Sequence, residues 1–355
     1  MNKAKNTKVT GLILGIILLT ATYIVPNPEN LNIHAWHTLG VALLMACWWL
    51  TEAIPLPATG LVPIVLFPIL GINTIKQSVQ GYSHPIIFLF MGGFIIGLAM
   101  QHTGLHKRIA YFIINQFKVS TKLLILGFMI ATAFLSMWIS NSATAIMMLP
   151  IAISIITVFN ENQNNIKNTN FAKALVLSIA FSATIGGVAT LIGTPPNTVM
   201  AAMLSELYNY EIDFLDWLII GLPTAFILLP ICWFILTYIC FPLNDKLDNN
   251  TNMIKNDMIK LGKITNDEIM VGIVFFITAC LWISRRWLSE LIENILPGSS
   301  LNDSSIAIAA ALILFLLPSY KKNQSRLINW KVVQNIPWGA LILIGGGLSL
   351  ASVIN

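Results

Sequence analysis

Charge is what this sequence has least of. Its 355 residues include 20 Lys and Arg and 15 Asp and Glu, 10% in all, against 56% hydrophobic residues. A soluble domain carries about 25% charged residues, so an ordinary soluble fold is excluded. The chemistry of an intramembrane enzyme is missing as well. No apolar segment holds paired acids, a Ser/His dyad or a His-Glu-x-x-His motif. The four cysteines (Cys47, Cys232, Cys240, Cys280) sit inside apolar segments, without the spacing of a metal site or a disulfide framework. His102 and His106 are spaced as a metal pair, but no carboxylate or third histidine lies nearby in sequence, so they read as interfacial. The net charge of +5 clusters at segment ends, where it reports topology and not nucleic acid.

What is present are apolar runs along the whole length, the pattern of an all-α, multi-pass membrane protein. Candidate spans fall near 9–25, 36–53, 54–72, 85–101, 174–207, 217–242, 268–284, 305–319 and 337–355. The first follows Lys3, Lys5 and Lys8 as in a signal peptide, but a persuasive cleavage site is lacking and it reads as a retained helix. Trp48 and Trp49 read as interface anchors, and Glu52 as an interfacial cap, with a proton relay as the lesser alternative. Basic residues concentrate at 3–8, 107–122, 246–263 and 321–331, whereas 205–216 holds Glu206, Glu211, Asp213 and Asp216 and no base. The positive-inside rule then puts the amino terminus and the basic loops in the cytoplasm. Residues 102–119 have the pattern of an amphipathic helix lying in that interface.

Two charge-free stretches are interrupted. Residues 123–160 break at Ser140-Asn141-Ser142, and 174–205 break at Gly193-Thr194-Pro195-Pro196-Asn197. Lys118 and Lys122 precede the first stretch and Lys167 and Lys173 follow it, so both ends belong on the cytoplasmic side. A re-entrant helical hairpin fits this; two full spans with a tight outer turn have the same end orientations. Broken polar backbone is tolerated at membrane depth only where it lines a cavity or packs on protein, and paired breaks point to the binding site of a secondary transporter. Residues 85–100 also align with 337–352 at Pro85/Pro337, Leu89/Leu341, Gly93/Gly345, Leu98/Leu350 and Ala99/Ala351, in opposite membrane directions, as in an inverted-topology repeat.

The breaks supply chemistry without charge. A helix amino terminus carries about +0.5 charge and unpaired N–H groups, enough to face an anion without a buried cation. Ser140 or Asn141 can cap one half-helix, and Thr194 can cap another that starts at Pro195-Pro196. The arriving arms end in carbonyls that suit a small cation; Ser136, Ser140 and Asn141 side chains with the Gly193 carbonyl could hold sodium. Each ion would then lower the cost of binding the other.

Trp48-Trp49-Leu50-Thr51-Glu52-Ala53-Ile54-Pro55, Ser136-Met-Trp-Ile-Ser140-Asn141-Ser142-Ala143-Thr144 and Leu191-Ile192-Gly193-Thr194-Pro195-Pro196-Asn197 resemble the divalent anion–sodium symporter family, which includes bacterial sodium-dependent dicarboxylate transporters. The resemblance runs from the first span to Trp338-Gly339-Ala340-Leu341. It implies a sodium site at Ser136, Ser140, Asn141 and Gly193, and carboxylate contacts at Asn141, Ser142 and Thr194. Ser142 stands where the family usually has Thr, so a methyl is lost and a hydroxyl kept. A homodimer in the bacterial cytoplasmic membrane, an elevator-type motion and co-transport of Na⁺ with a C4 dicarboxylate such as succinate, fumarate or malate are implied as well. Sulfate or citrate, or protons in place of sodium, are the alternatives within transport; a non-transporting scaffold subunit or inactive fragment is the alternative outside it. The parts expected are scaffold spans and the interfacial helix at 1–121, part of a transport domain at 122–243, and the incomplete start of a second repeat at 244–355. The second hairpin tip would fall beyond residue 355, so residues 1–355 alone are expected not to transport.

Overall fold

The computed structural model describes residues 2–117, 120–162, 169–243, 259–321 and 324–354. Of the basic residues that carry the topology argument, Lys118, Lys167, Lys246, Lys255 and Lys322 lie outside them. Among the described residues no strand forms; one isolated bridge joins Pro318 and Arg326. The helices are α1 (Asn2–Ile24), α2 (Ile33–Thr51), α3 (Leu56–Thr59), α4 (Val62–Ile69), α5 (Ile75–Ser78), α6 (Pro85–Thr103), α7 (Leu105–Gln116), α8 (Thr121–Ser136) and α9 (Asn141–Asn162). They continue as α10 (Thr169–Val188), α11 (Pro195–Tyr208), α12 (Phe214–Phe234, extended by a π turn to Cys240), α13 (Asn266–Ile295), α14 (Asp303–Leu316), α15 (Trp330–Val333) and α16 (Trp338–Ile354). Six of them contain segments long and apolar enough to cross a membrane: Asn6–Ile24, Ile33–Thr51, Pro85–Thr103, Asn170–Val188, Phe214–Cys240 and Asn266–Ile295. The chain is an all-α polytopic membrane protein.

It forms two compact units, one of residues 1–91, 198–212 and 337–355, the other of 92–197 and 213–336. In the first, α1 and α2 pack closely because glycines replace side chains between them. A Cβ at Gly11 would lie 1.9 Å from Thr51 Oγ1. Small residues at such contacts matter because lipid is as apolar as Leu and gives no hydrophobic drive between helices. Glu52 adopts a left-handed conformation (φ 48°) after α2, and its exposed carboxylate lies 3.6 Å from Lys8. The segment expected as a span at 54–72 is apolar but interrupted. Pro55, Pro57, Pro63 and Pro68 remove N–H donors, and the segment divides into α3 and α4. Tyr82 donates to the Gly60 carbonyl at 2.5 Å and Ser349 to the Ser78 carbonyl at 2.7 Å, fastening α16 beside that break.

In the second unit, α8, α9 and α10 share a core that includes Phe128, Met129, Leu135, Ile151, Phe171 and Leu175. α8 has 16 residues, roughly 24 Å, short of the roughly 30 Å hydrocarbon core. Gly104 turns the chain at φ 96° between α6 and α7. The apolar side of α7 is covered by protein, with Ala110 and Ile114 in that same core. His106 is buried on the Met100 carbonyl at 3.1 Å, and His102 Nε2 lies 3.1 Å from the Gln324 amide nitrogen. Both histidines thus serve local structure.

An ion cluster, buried at Asp213 and Asp303 and open at Arg286, joins the starts of α12 and α14 to α13. Arg285 reaches Asp213 at 2.8 Å and Asp303 at 3.1 Å, and Arg286 reaches Asp213 at 2.7 Å and Asp216 at 2.6 Å. Burial alone would raise the Asp213 pKa. The Asp216 N–H and the two guanidiniums outweigh it and hold the group down to about 2, below its ordinary 3.8. A depressed carboxylate pKa stabilises the fold above the unfolded-state value, and that contribution disappears as pH falls toward the folded one. Thermal unfolding in detergent is therefore expected to be flat from neutral pH to about pH 4 and to decline below it. Asp213→Asn should cost about 1–3 kcal/mol at neutral pH and flatten the acid decline. A variant with an unchanged melting temperature and acid limb would refute this role.

Candidate functional site

The second unit contains both interruptions, 137–140 and 193–197. In the first, α8 ends at Ser136 and α9 begins at Asn141, so the turn is 137–140. This places the break slightly earlier than the sequence suggested: Asn141 and Ser142 occupy the first turn of α9, with Ser140 immediately before it. Trp138 accounts for the shift. Its ring packs edge-on against Phe275 (centroids 4.7 Å apart) and parallel to Phe214 and Trp282, anchoring the turn to neighbouring aromatics. In the second, α10 ends at Val188 and α11 starts at Pro195, where proline's missing N–H costs nothing.

Glycines bring the two breaks together. A Cβ on Gly187 would lie 2.3 Å from Asn141 Oδ1, and one on Gly193 would lie 2.4 Å from the Gly187 carbonyl oxygen. Gly187 therefore touches both interruptions. The adjacent Gly186 lets α10 close on α8, since its Cβ would sit 2.2 Å from the Ala133 carbonyl oxygen. On α6, Gly93 faces Ile192 and Gly97 faces the Trp138 carbonyl, one glycine for each break. The Gly-x-x-x-Gly spacing of 93 and 97 was the available sequence signal for that seat.

At the junction, three oxygens cluster. The fully buried Ser136 hydroxyl lies 2.8 Å from Asn141 Oδ1 and 2.7 Å from the Ala183 carbonyl. A hydroxyl has one proton, so it cannot fully satisfy both acceptors. The surplus lone pairs give the spot a negative potential without formal charge. Ser140, Asn141 and Thr194 are half-buried, Gly193 is buried and Ser142 is exposed. Both α9 and α11 begin here, and each brings the positive end of its dipole. The combination suits a small cation beside an anion.

The arriving carbonyls depart from expectation: several are already partnered. Asn197 Nδ2 donates to the Gly187 and Thr190 carbonyls at 2.9 and 2.8 Å, and Trp217 Nε1 to the Val188 carbonyl at 2.9 Å. Thr190 Oγ1 donates to the Met137 carbonyl and ties the second break to the first. A buried helix end needs such partners, because an unpaired carbonyl in a dry interior is costly. Asn197 and Thr190 thus hold the breaks in shape. Asn197 was visible in the sequence only as part of a motif; its tie to Gly187, ten residues back, required the fold.

The chain resembles known proteins over nearly its whole length. The family described as sodium:sulfate symporter transmembrane region matches residues 6–355. The chain is 42% identical over 351 residues to a sodium-dependent dicarboxylate transporter, SdcS, of Staphylococcus aureus strain USA300, covering 97% of this chain and 67% of the relative. The corresponding proteins of strains NCTC 8325 / PS 47 and COL are 41% identical over the same length and shares. With two breaks joined through Gly187 and a family match over nearly its whole length, the chain belongs to the sodium:sulfate symporter family of membrane transporters.

Proposed function

We propose that this chain takes part in sodium-coupled symport of dicarboxylates across the cytoplasmic membrane of a bacterium. Sodium is held by the Ser136, Ser140 and Asn141 side chains with the Gly193 carbonyl. Asn141, Ser142 and Thr194 receive a carboxylate of the substrate. The observation that carries this reading is the three-oxygen cluster at Ser136, Asn141 and Ala183, where one proton serves two acceptors. A sodium ion there relieves the crowded lone pairs and raises the potential felt by an anion beside α9 and α11, so each ion strengthens the other's binding. The relatives named for sodium-dependent dicarboxylate transport support the same pairing.

C4 dicarboxylates such as succinate, fumarate and malate are the substrates we assign. Sulfate is the second reading, favoured by the family's own description. The proposal extends to a homodimer in the lipid bilayer with its amino terminus in the cytoplasm. It also extends to a division into scaffold spans and the interfacial helix at 1–121, part of a transport domain at 122–243 and the start of a second repeat, with scaffold spans, at 244–355, with the transport part moving as an elevator.

Coupling is testable by binding. Succinate should raise the melting temperature of the purified chain in sodium and not in choline, with sulfate and citrate weaker. Ser136→Ala removes a hydroxyl worth about 1.5–3 kcal/mol beside a charge, so the sodium needed for half the effect should rise about 10- to 100-fold. Equal succinate stabilisation in choline would exclude sodium coupling.

A further inference from the structure

Helices α13 and α14 run side by side and leave between them a cavity of about 580 Å³. Its walls are stripes of apolar residues at helical spacing, Met270, Ile277 and Leu281 on α13 facing Ala309, Ile313 and Leu317 towards and beyond the end of α14. The alanines set its width. From Met270 to Leu281 the groove extends roughly 16 Å, close to the roughly 15 Å hydrocarbon depth of one bilayer leaflet. Residues on and around the walls face outward: Ile273, Ile277, Leu312 and Ile313 are all about half exposed.

One mouth of the groove is marked by charge and aromatic rings. Leu317 lines that end, and the exposed Arg326 donates from Nη1 to the carbonyl of the preceding residue, Leu316. Lys321 Nζ lies 3.5 Å from the His102 carbonyl, a neutral acceptor. Among the described residues no carboxylate lies within ion-pair distance of either cation. The acids nearby are committed elsewhere. Asp267 accepts from Ser319 Oγ and the Tyr320 N–H, and Glu268 pairs with Arg108. Tyr320, next to Lys321 in the chain, and Trp330 are 63% and 60% exposed, and Trp330 stacks on Phe315 of α14. Exposed Tyr and Trp beside Lys and Arg at a helix end are the residues that sit at headgroup level.

We propose that this groove holds one acyl chain of an anionic phospholipid whose phosphate is bound by Arg326 and Lys321. Charge complementarity selects this occupant. A zwitterionic lipid brings the same phosphate but also its own cation beside Arg326 and Lys321, whereas an anionic lipid leaves its net negative charge to them.

Native mass spectrometry of the purified chain, loaded in turn with phosphatidylglycerol and phosphatidylcholine, tests the proposal. Phosphatidylglycerol should remain bound under activation that strips phosphatidylcholine. Each cation near a headgroup contributes roughly fivefold, so the double variant Lys321→Gln, Arg326→Gln should lose the preference by a few tens of fold. Ala309→Phe fills the groove and should abolish retention of both lipids while the melting temperature stays within a few degrees of wild type. Equal retention of the two lipids by the wild type would overturn the proposal, as would retention unchanged in Ala309→Phe. A dimer mass that Ala309→Phe converts to monomer would overturn it as well, by assigning the groove to a second copy.

Discussion

Gly187→Ala is expected to abolish sodium binding while leaving the fold nearly as stable as before. The added methyl would meet Asn141 Oδ1 at 2.3 Å and Nδ2 at 2.9 Å, the free end of a side chain and not backbone. A terminal carboxamide can rotate away at small cost, so the helices need not part. The cost falls on the site. Asn141 leaves the oxygen cluster, Ser136 loses one of its two partners, and the first turn of α9 loses its polar group at the junction. Losing a liganding oxygen and an aligned neighbour should weaken sodium at least 100-fold, by the same 1.5–3 kcal/mol per charge-assisted contact. In choline, the melting temperature should match the wild type to within about 1 °C, equivalent to under 1 kcal/mol. If sodium still stabilises Gly187→Ala as it does the wild type, Asn141 is not part of the cation site.

Gly186→Ala, one residue earlier, should do the opposite. Its methyl would lie 2.2 Å from the Ala133 carbonyl oxygen and 2.5 Å from the Ala133 Cα, both backbone atoms of α8. Nothing there can rotate aside, so α8 and α10 must separate. Overpacking of this kind costs about 1–3 kcal/mol and more where the backbone is rigid. The interface also carries the Ser136 bond to the Ala183 carbonyl, which would lengthen as the helices part. The variant should therefore unfold several degrees lower in sodium and in choline alike. A stable Gly186→Ala would mean that α8 and α10 do not approach through this glycine. Neighbouring glycines with opposite outcomes separate the chemistry of the site from the packing that supports it.

The membrane class was plain in the sequence because hydropathy over 18 residues is a strong signal, and α1, α2, α6, α10, α12 and α13 all form where long apolar runs predict. The helix start at Pro195 was legible for a local reason, proline's fit to a first turn. The end of α8 was less so. Ser140-Asn141-Ser142 looks like a turn because its side chains are polar, yet Asn141 points back to Ser136 and leaves the backbone free to be helical. Segment 54–72 read as a span on hydropathy alone, while its four prolines determine the outcome. Ala183 could not have been foreseen as a partner. Its contribution is a main-chain carbonyl 47 residues from Ser136, and any residue type supplies the same oxygen.

Equilibrium binding of radioactive sodium to the purified chain, at constant ionic strength with choline as the replacement, addresses the junction at Gly187 most directly. A single saturable class of sites, present in the wild type, shifted to about 10- to 100-fold higher sodium in Ser136→Ala and absent from Gly187→Ala, is the predicted result. Sodium retention no greater than that of a scrambled control membrane protein, or equal in all three chains, would contradict the assignment of the paired helix breaks as a cation site.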